Sequence, residues 1–336
     1  MSGEYTPEVV TGLQHMIAGG LPLWGLSPVA RITLLNLSEN ATYALEDAES
    51  GRELILRVHR VGWSSEQEIR SELAWIEALH RDGVIETALP LPGRNGDLVQ
   101  LLVPVDAGEP RHAVAFSRLA GSEPSTAKGA GPWFERLGAI SARMHAHARA
   151  WTLPSGFQRR RWDFEAMVGS RAYWGDWRAA IGLTAAGTTV LERALTLIAR
   201  RLKEFGTGRE RFGLVHADLR LANLMVDGPR LQIIDFDDCG FSWFMYDFAT
   251  AVSFIEHEPA VPDLLRSWLS GYCRQQPLSA QERAEIPTFV ALRRILLSAW
   301  LASHAEIPFA RQFGPAYTAG TVHIAQQLLD GNLLPA

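Results

Sequence analysis

The segment GLVHADLRLANLMV, Gly213 to Val226, sets His216, Asp218 and Asn223 into an otherwise apolar run, and the next apolar run closes on IIDFDD with Asp235. An aspartate five residues before an asparagine, with a second aspartate a short way on, is the set that phosphoryl transfer requires. One carboxylate orients the attacking hydroxyl and accepts its proton, while further oxygens hold magnesium on the nucleotide phosphates. Asp218 is the expected base, and Asn223 and Asp235 are the expected metal ligands. Taken singly these residues are ordinary: Asp caps loops, Asn sits in turns, and a His before a turn usually holds structure by hydrogen bonds. The spacing carries the expectation, and within it His216 keeps a structural part.

The pattern resembles the kinase signature H-R-D-x-x-x-x-N followed by D-F-G, with Ala217 in place of the arginine and Asp237 in place of the glycine. It is still more similar to the aminoglycoside phosphotransferase and choline kinase branch, which includes type II homoserine kinases and carries H-x-D-x-x-x-x-N with I-D-F/W-D/E. The likeness runs from about Leu34 to Leu329. It implies an α+β, two-lobed, protein-kinase-like fold: a small antiparallel-sheet N-lobe with one helix over 1–115, a hinge over 116–121, and a larger helical C-lobe over 122–336. It also implies ATP and Mg2+ as cofactors.

The same resemblance assigns further roles. In NLSENATY, Ser38, Asn40 and Thr42 stand where a glycine-rich loop would meet the phosphates, through backbone amides and hydroxyls. In LILRVHR, Arg57 occupies the place of the strand lysine, with Glu72 as its ion-pair partner, and no lysine precedes Lys128. Arginine keeps the charge but presents a planar fork, so the exchange is not neutral. Phe116 to Leu119 fall where a hinge offers backbone groups to adenine. Asp237 lies beside the metal ligands, and Asp247 braces the catalytic loop. After Asp235 the chain runs straight into a helix without an A-P-E element, which sets it apart from a conventional protein kinase.

The elements that must position these residues are legible around them. ARITLLNLSENATYALEDAESGRELILRVHR has three apolar runs, near Leu34, Tyr43 and Leu54 to Val58, parted by turn residues, as successive antiparallel strands are. SSEQEIRSELAWIEALHRDG follows with a cap, acidic residues in its first turn and apolar Ile69, Leu73, Ile76 and Leu79, which predicts a helix. Two further strands with a tight turn at Asn95-Gly96 are expected next. Past a Gly/Ser/Pro/Ala-rich stretch near residue 121, amphipathic helices are expected over 132–148, 189–205, 262–276, 280–303 and 317–329. The first third of the chain is expected to hold one helix only.

Composition narrows the function classes. The 336 residues suit two domains, and a net charge of -5 with scattered arginines makes nucleic acid a poor partner. Two cysteines, Cys239 and Cys273, give no disulfide framework and fit a reducing cytoplasm. No leader or membrane span is expected. Trp162, Tyr173, Trp174 and Trp177 suit a cationic head group, whereas Arg159, Arg160 and Arg161 suit an anionic one. Packed aromatics and a solvated basic turn are the simpler readings of both. The expectation is a monomeric or homodimeric kinase for a hydroxyl on a small, amine-bearing acceptor, homoserine-like amino alcohols ahead of aminoglycosides. Its alternatives are a stress-response type protein Ser/Thr kinase of the same fold and a nucleotide-binding scaffold without turnover.

Overall fold

Thr6 opens the first helix by accepting a hydrogen bond from the Val9 amide, with Pro7 preset for the first turn. The computed structural model to which this helix belongs describes residues 6–104, 108–125, 129–305 and 308–334. Helix α1 (Pro7–Gly20) was not expected from the sequence. Its apolar face, Leu13, Met16 and Ile17, packs into one core with Tyr43, Leu45, Leu54, Leu56 and Val58, so burial against the sheet holds it.

The chain divides into two compact units, one of residues 3–120 with 153–158 and one of residues 121–152 with 159–336. In the first unit, β1 (Arg31–Leu37), β2 (Ala41–Asp47) and β3 (Arg52–Val58) form an antiparallel meander. Helix α2 (Glu66–Arg81) starts at a capping box in which Ser65 and Glu68 satisfy each other's backbone amides. It buries Ile69, Leu73, Ile76 and Leu79, the four positions its periodicity marked. Three strands follow where two were expected: β4 (Pro90–Leu91), β5 (Val99–Leu102) and β6 (Arg111–Ser117). The Gly93 to Gly96 turn does not fold β4 and β5 into a hairpin, because both pair with successive parts of β6. The sheet order is β1-β2-β3-β6-β4, with β5 also on β6.

The second unit is mainly helical: α3 (Gly131–Ala150), α4 (Phe164–Val168) and α5 (Ala185–Phe205) precede β7 (Phe212–Val215), β8 (Leu224–Asp227), β9 (Arg230–Ile233) and β10 (Gly240–Trp243). Then come α6 (Tyr246–Ala251), α7 (Val261–Gln275), α8 (Ala280–Ser303) and α9 (Pro308–Leu329). Strands β8 and β9 make a hairpin, and β7 pairs with β10. The α9 segment is two helices joined at Gly314, whose φ of 41° and ψ of -144° are not helical, so the second helix, which opens after Gly314, is the one expected over 317–329 and the short first one was not expected. Helix α8 is long and apolar enough to cross a membrane, yet 78% of its apolar window is buried inside the protein, as in a core helix. Its residues Arg293 and Arg294 are buried as well.

Helices α3 and α7 pack with their backbones close together at two glycines. A Cβ on Gly138 would lie 2.0 Å from the Trp268 carbonyl oxygen, and one on Gly271 would lie 1.7 Å from that of Glu135. Gly271→Ala is therefore expected to destabilise the protein by about 1–3 kcal/mol through overpacking. Gly12→Ala, in α1 with open space around it, should be neutral or stabilise by about 0.5–1 kcal/mol. Denaturant unfolding of the two variants beside the parent protein checks the contrast.

Candidate active site

Strand β7 delivers the chain into a loop, residues 216–223, whose backbone is held by Asp247 at the start of α6. Asp247 is wholly buried; its Oδ1 accepts from the Ala217 amide at 2.9 Å and its Oδ2 from the His216 amide at 3.3 Å. His145 on α3, equally buried, donates its Nε2–H to Asp247 Oδ2 at 2.9 Å and accepts from the Tyr272 hydroxyl at 3.0 Å. Burial lowers the His145 pKa, so this imidazole is a neutral strut. Thr250 adds a hydroxyl that accepts from the Leu219 amide at 3.0 Å and donates to the Asp247 carbonyl. Ala217 sits at φ +66°, a left-handed conformation costly for alanine that these bonds enforce.

His216 ties the two halves of the motif together. Its Nδ1 accepts from the Asp218 amide at 3.2 Å, which leaves the proton on Nε2 to be donated to the Ile234 carbonyl at 3.1 Å. The ring is buried, and burial holds its pKa down, so it stays neutral. The Ile234 amide in turn donates to the Asn223 carbonyl at 3.0 Å. Asp235, directly after Ile234, is exposed and takes φ +62°, which turns the chain sharply out of β9.

Asp218 is met by three donors. Asn223 Nδ2 and Arg220 Nε donate to its Oδ2 at 2.7 and 3.1 Å, and Arg293 Nη2 donates to its Oδ1 at 2.8 Å. Burial pushes the Asp218 pKa up, but Arg220 and Arg293 outweigh it and hold the carboxyl below its usual range. It is a carboxylate near neutrality, as a base must be. Arg220 feels the charges of both Asp218 and Asp235, and its own pKa is raised mainly by Asp218. With Nδ2 committed to Asp218, the Asn223 amide oxygen and the Asp235 carboxylate are hard oxygens of the kind that could hold a divalent cation.

The turn after Asp235 is held from outside. Arg159 Nε donates to the Cys239 carbonyl at 2.6 Å and Arg159 Nη2 to that of Asp237, while Trp162 Nε1 donates to the Asp238 carbonyl at 2.7 Å. Arg159 and Arg160 are buried and only Arg161 is exposed, so two of the three arginines are not the solvated turn that the composition suggests. Trp162 meets Tyr173 and Trp174 ring to ring, and the cation over Trp174 is the protein's own Arg293, with 5.5 Å from Cζ to the ring centroid.

In the first unit, Arg57 and Glu72 form a buried ion pair at 2.5 Å, with the guanidinium 5.1 Å from the Phe116 ring centroid. Thr42 lies opposite Arg57 in the β2–β3 ladder. The Ser38 amide donates to the Asn40 carbonyl, and the Asn40 side chain accepts from the Arg60 amide at 3.2 Å, so Asn40 shapes the turn. Phe116 pairs with Ile55 and Pro90 near the end of β6, and Leu119 follows half-buried. Sequence reasoning did not single out His145, Arg159 in its bracing part, Arg220 or Arg293. The one signal for Arg293 was a pair of arginines inside an apolar helix, where a charge must be paired.

The sequence profile of the phosphotransferase enzyme family matches residues 32–286. Amicoumacin kinase of Bacillus subtilis (strain 168) is 25% identical over 271 residues, covering 78% of this chain and 77% of that protein. A solved structure described as the microcompartment-associated aminopropanol kinase is 42% identical with a TM-score of 0.87, over 95% of this chain and 98% of that one. An amicoumacin kinase in complex with AMP-PNP, Ca2+ and Ami shares the fold at a TM-score of 0.77 and 23% identity, over 98% and 95%. With three quarters of its length under the profile and the motif assembled as described, this chain belongs to the phosphotransferase enzyme family and is a kinase with an alcohol group as its acceptor.

Proposed function

We propose that the protein transfers the γ-phosphoryl group of ATP, with Mg2+, to the hydroxyl of a small amino alcohol. The observation that carries the reading is the Asp218 carboxylate, fixed and charged beside Asn223. Aminopropanol-like acceptors come first because the solved structure 42% identical to this chain is described as an aminopropanol kinase. An antibiotic of the amicoumacin kind is the second reading, favoured by the curated relative at 25% identity. The two free cysteines, buried Cys239 and half-buried Cys273, suit work in a reducing cytoplasm.

Each residue then has a task. Asp218 accepts the hydroxyl proton as the oxygen attacks phosphorus. Asn223 and Asp235 hold the divalent ion, which neutralises charge on the phosphates when bound. Asp237 adds a carboxylate beside them, and His216 and Asp247 keep the loop in shape. Arg57, oriented by Glu72, meets phosphate charge, with the amides and hydroxyls of the Ser38 to Thr42 turn beside it. Phe116 to Leu119 offer backbone groups to the base.

The test is a panel of aminopropanol, homoserine, ethanolamine, choline, amicoumacin and a generic protein substrate with Mg-ATP, read by mass for the gain of one phosphoryl group. Phosphorylation of the short amino alcohols ahead of the rest is expected; nucleotide binding with no acceptor modified would reduce the protein to a scaffold. Asp218→Asn should keep nucleotide binding while turnover falls about a hundredfold or more. Asp235→Ala should weaken nucleotide binding in the presence of Mg2+ far more than in its absence, by calorimetric titration. For the first unit, Arg57→Ala should lower kcat/KM for ATP, and adding Glu72→Ala should cost little further, since coupled residues are not additive.

A further inference from the structure

Arg293 lies beyond the segment that the family profile matches, which ends at residue 286, and it reaches Asp218 from 75 residues away in the chain. Its side chain is 3% exposed and every part of the guanidinium is engaged. Nε donates to Ser253 Oγ at 3.1 Å, Nη1 to the Tyr246 hydroxyl at 3.3 Å and Nη2 to Asp218 Oδ1 at 2.8 Å. The plane is steadied by the rings of Trp174 and Tyr246, 5.5 and 6.0 Å from Cζ. A planar fork gripped at three nitrogens has almost no freedom left, so the oxygen it holds has none either.

The donors around Asp218 also choose between its oxygens. A carboxylate offers about four lone-pair sites, two on each oxygen. Oδ2 is filled by Asn223 and Arg220, whereas Oδ1 carries Arg293 alone. We propose that Arg293 is a positioning residue of the transfer: it aims Oδ1 of Asp218, whose remaining lone pair takes the acceptor's hydroxyl proton. The acceptor O–P bond forms as the bond from the γ-phosphorus to the β,γ-bridging oxygen breaks, and the proton passes to Oδ1 and from there to solvent. This rests on Asp218 being the base.

Arg294, next in the same helix and just as deep, provides the control. It pairs with Glu256 at 2.5 Å and bonds Thr321 and the Tyr317 carbonyl, none of which touches Asp218. Arg293→Lys and Arg294→Lys should therefore lower the thermal midpoint alike, but only Arg293→Lys should lower kcat. A loss of about a hundredfold is expected from a misplaced base, with the KM for ATP within about twofold of the parent. Tyr246→Phe, which keeps the charge and removes only the hydroxyl on Nη1, should cost kcat less, and it serves if the lysine variant does not fold. In single-turnover measurements, Arg293→Lys with Asp218→Asn should be no slower than Asp218→Asn alone. An additive loss in that double variant, or kcat unchanged in both Arg293→Lys and Tyr246→Phe, would overturn the positioning role while leaving the base in place. Full turnover in Asp218→Asn by itself would overturn the base and this proposal together.

Discussion

The second unit depends on a carboxylate that water never reaches. Asp247 is wholly buried, and a buried charge costs several kcal/mol unless polar partners replace its water. Its partners are the amides of His216 and Ala217 and the imidazole of His145. Those amides belong to the loop that carries Asp218, so satisfying the buried charge and shaping the loop are one event. The left-handed Ala217 backbone is held by the same bonds. Local strain is thus tolerated because the surroundings over-determine it.

From that anchor the arrangement propagates through atoms that each do two things. His216 accepts from Asp218 and donates to Ile234, so the base-bearing loop and the strand leading to Asp235 share one ring. Asn223 donates from its side-chain nitrogen to Asp218, and its backbone carbonyl accepts from the Ile234 amide. Arg159 and Trp162 hold the following turn by its carbonyls. The turn that carries the acidic groups at 235–238 is in this way placed through its backbone.

Charge balance explains the arginines. Asp218 and Asp235 both act on Arg220 and His216, and burial would favour protonation of Asp218. Arg220 and Arg293 remove that tendency for Asp218. Arg293 and Arg294 are neighbours in sequence yet serve separate networks, because consecutive helical positions face different directions. One reaches the catalytic loop and the other stabilises the packing around α9 through Glu256, Tyr317 and Thr321.

What the sequence determined by itself was local. Asp218, Asn223 and Asp235 are legible because their chemistry depends on spacing along one loop and one hairpin, and α2 because its capping box and apolar period lie within twenty residues. The Arg57 and Glu72 pair was expected only through the resemblance to kinases, and the structure brings the two side chains together. Helix α1 was missed although Thr6 and Pro7 mark its start, since short helices owe their stability to a tertiary face that no window displays. The pairing of β4 and β5 with β6, instead of with each other, was decided by register across the sheet. His145, Arg159 and Arg293 lie dozens of residues from the loop or turn they serve, on segments whose local pattern reads as ordinary packing or solvated charge. Only the packing of α3 on β7 and of α6 on α8 brings His145 to Asp247 and Arg293 to Asp218, because a buried polar atom finds its partner through space and not along the chain.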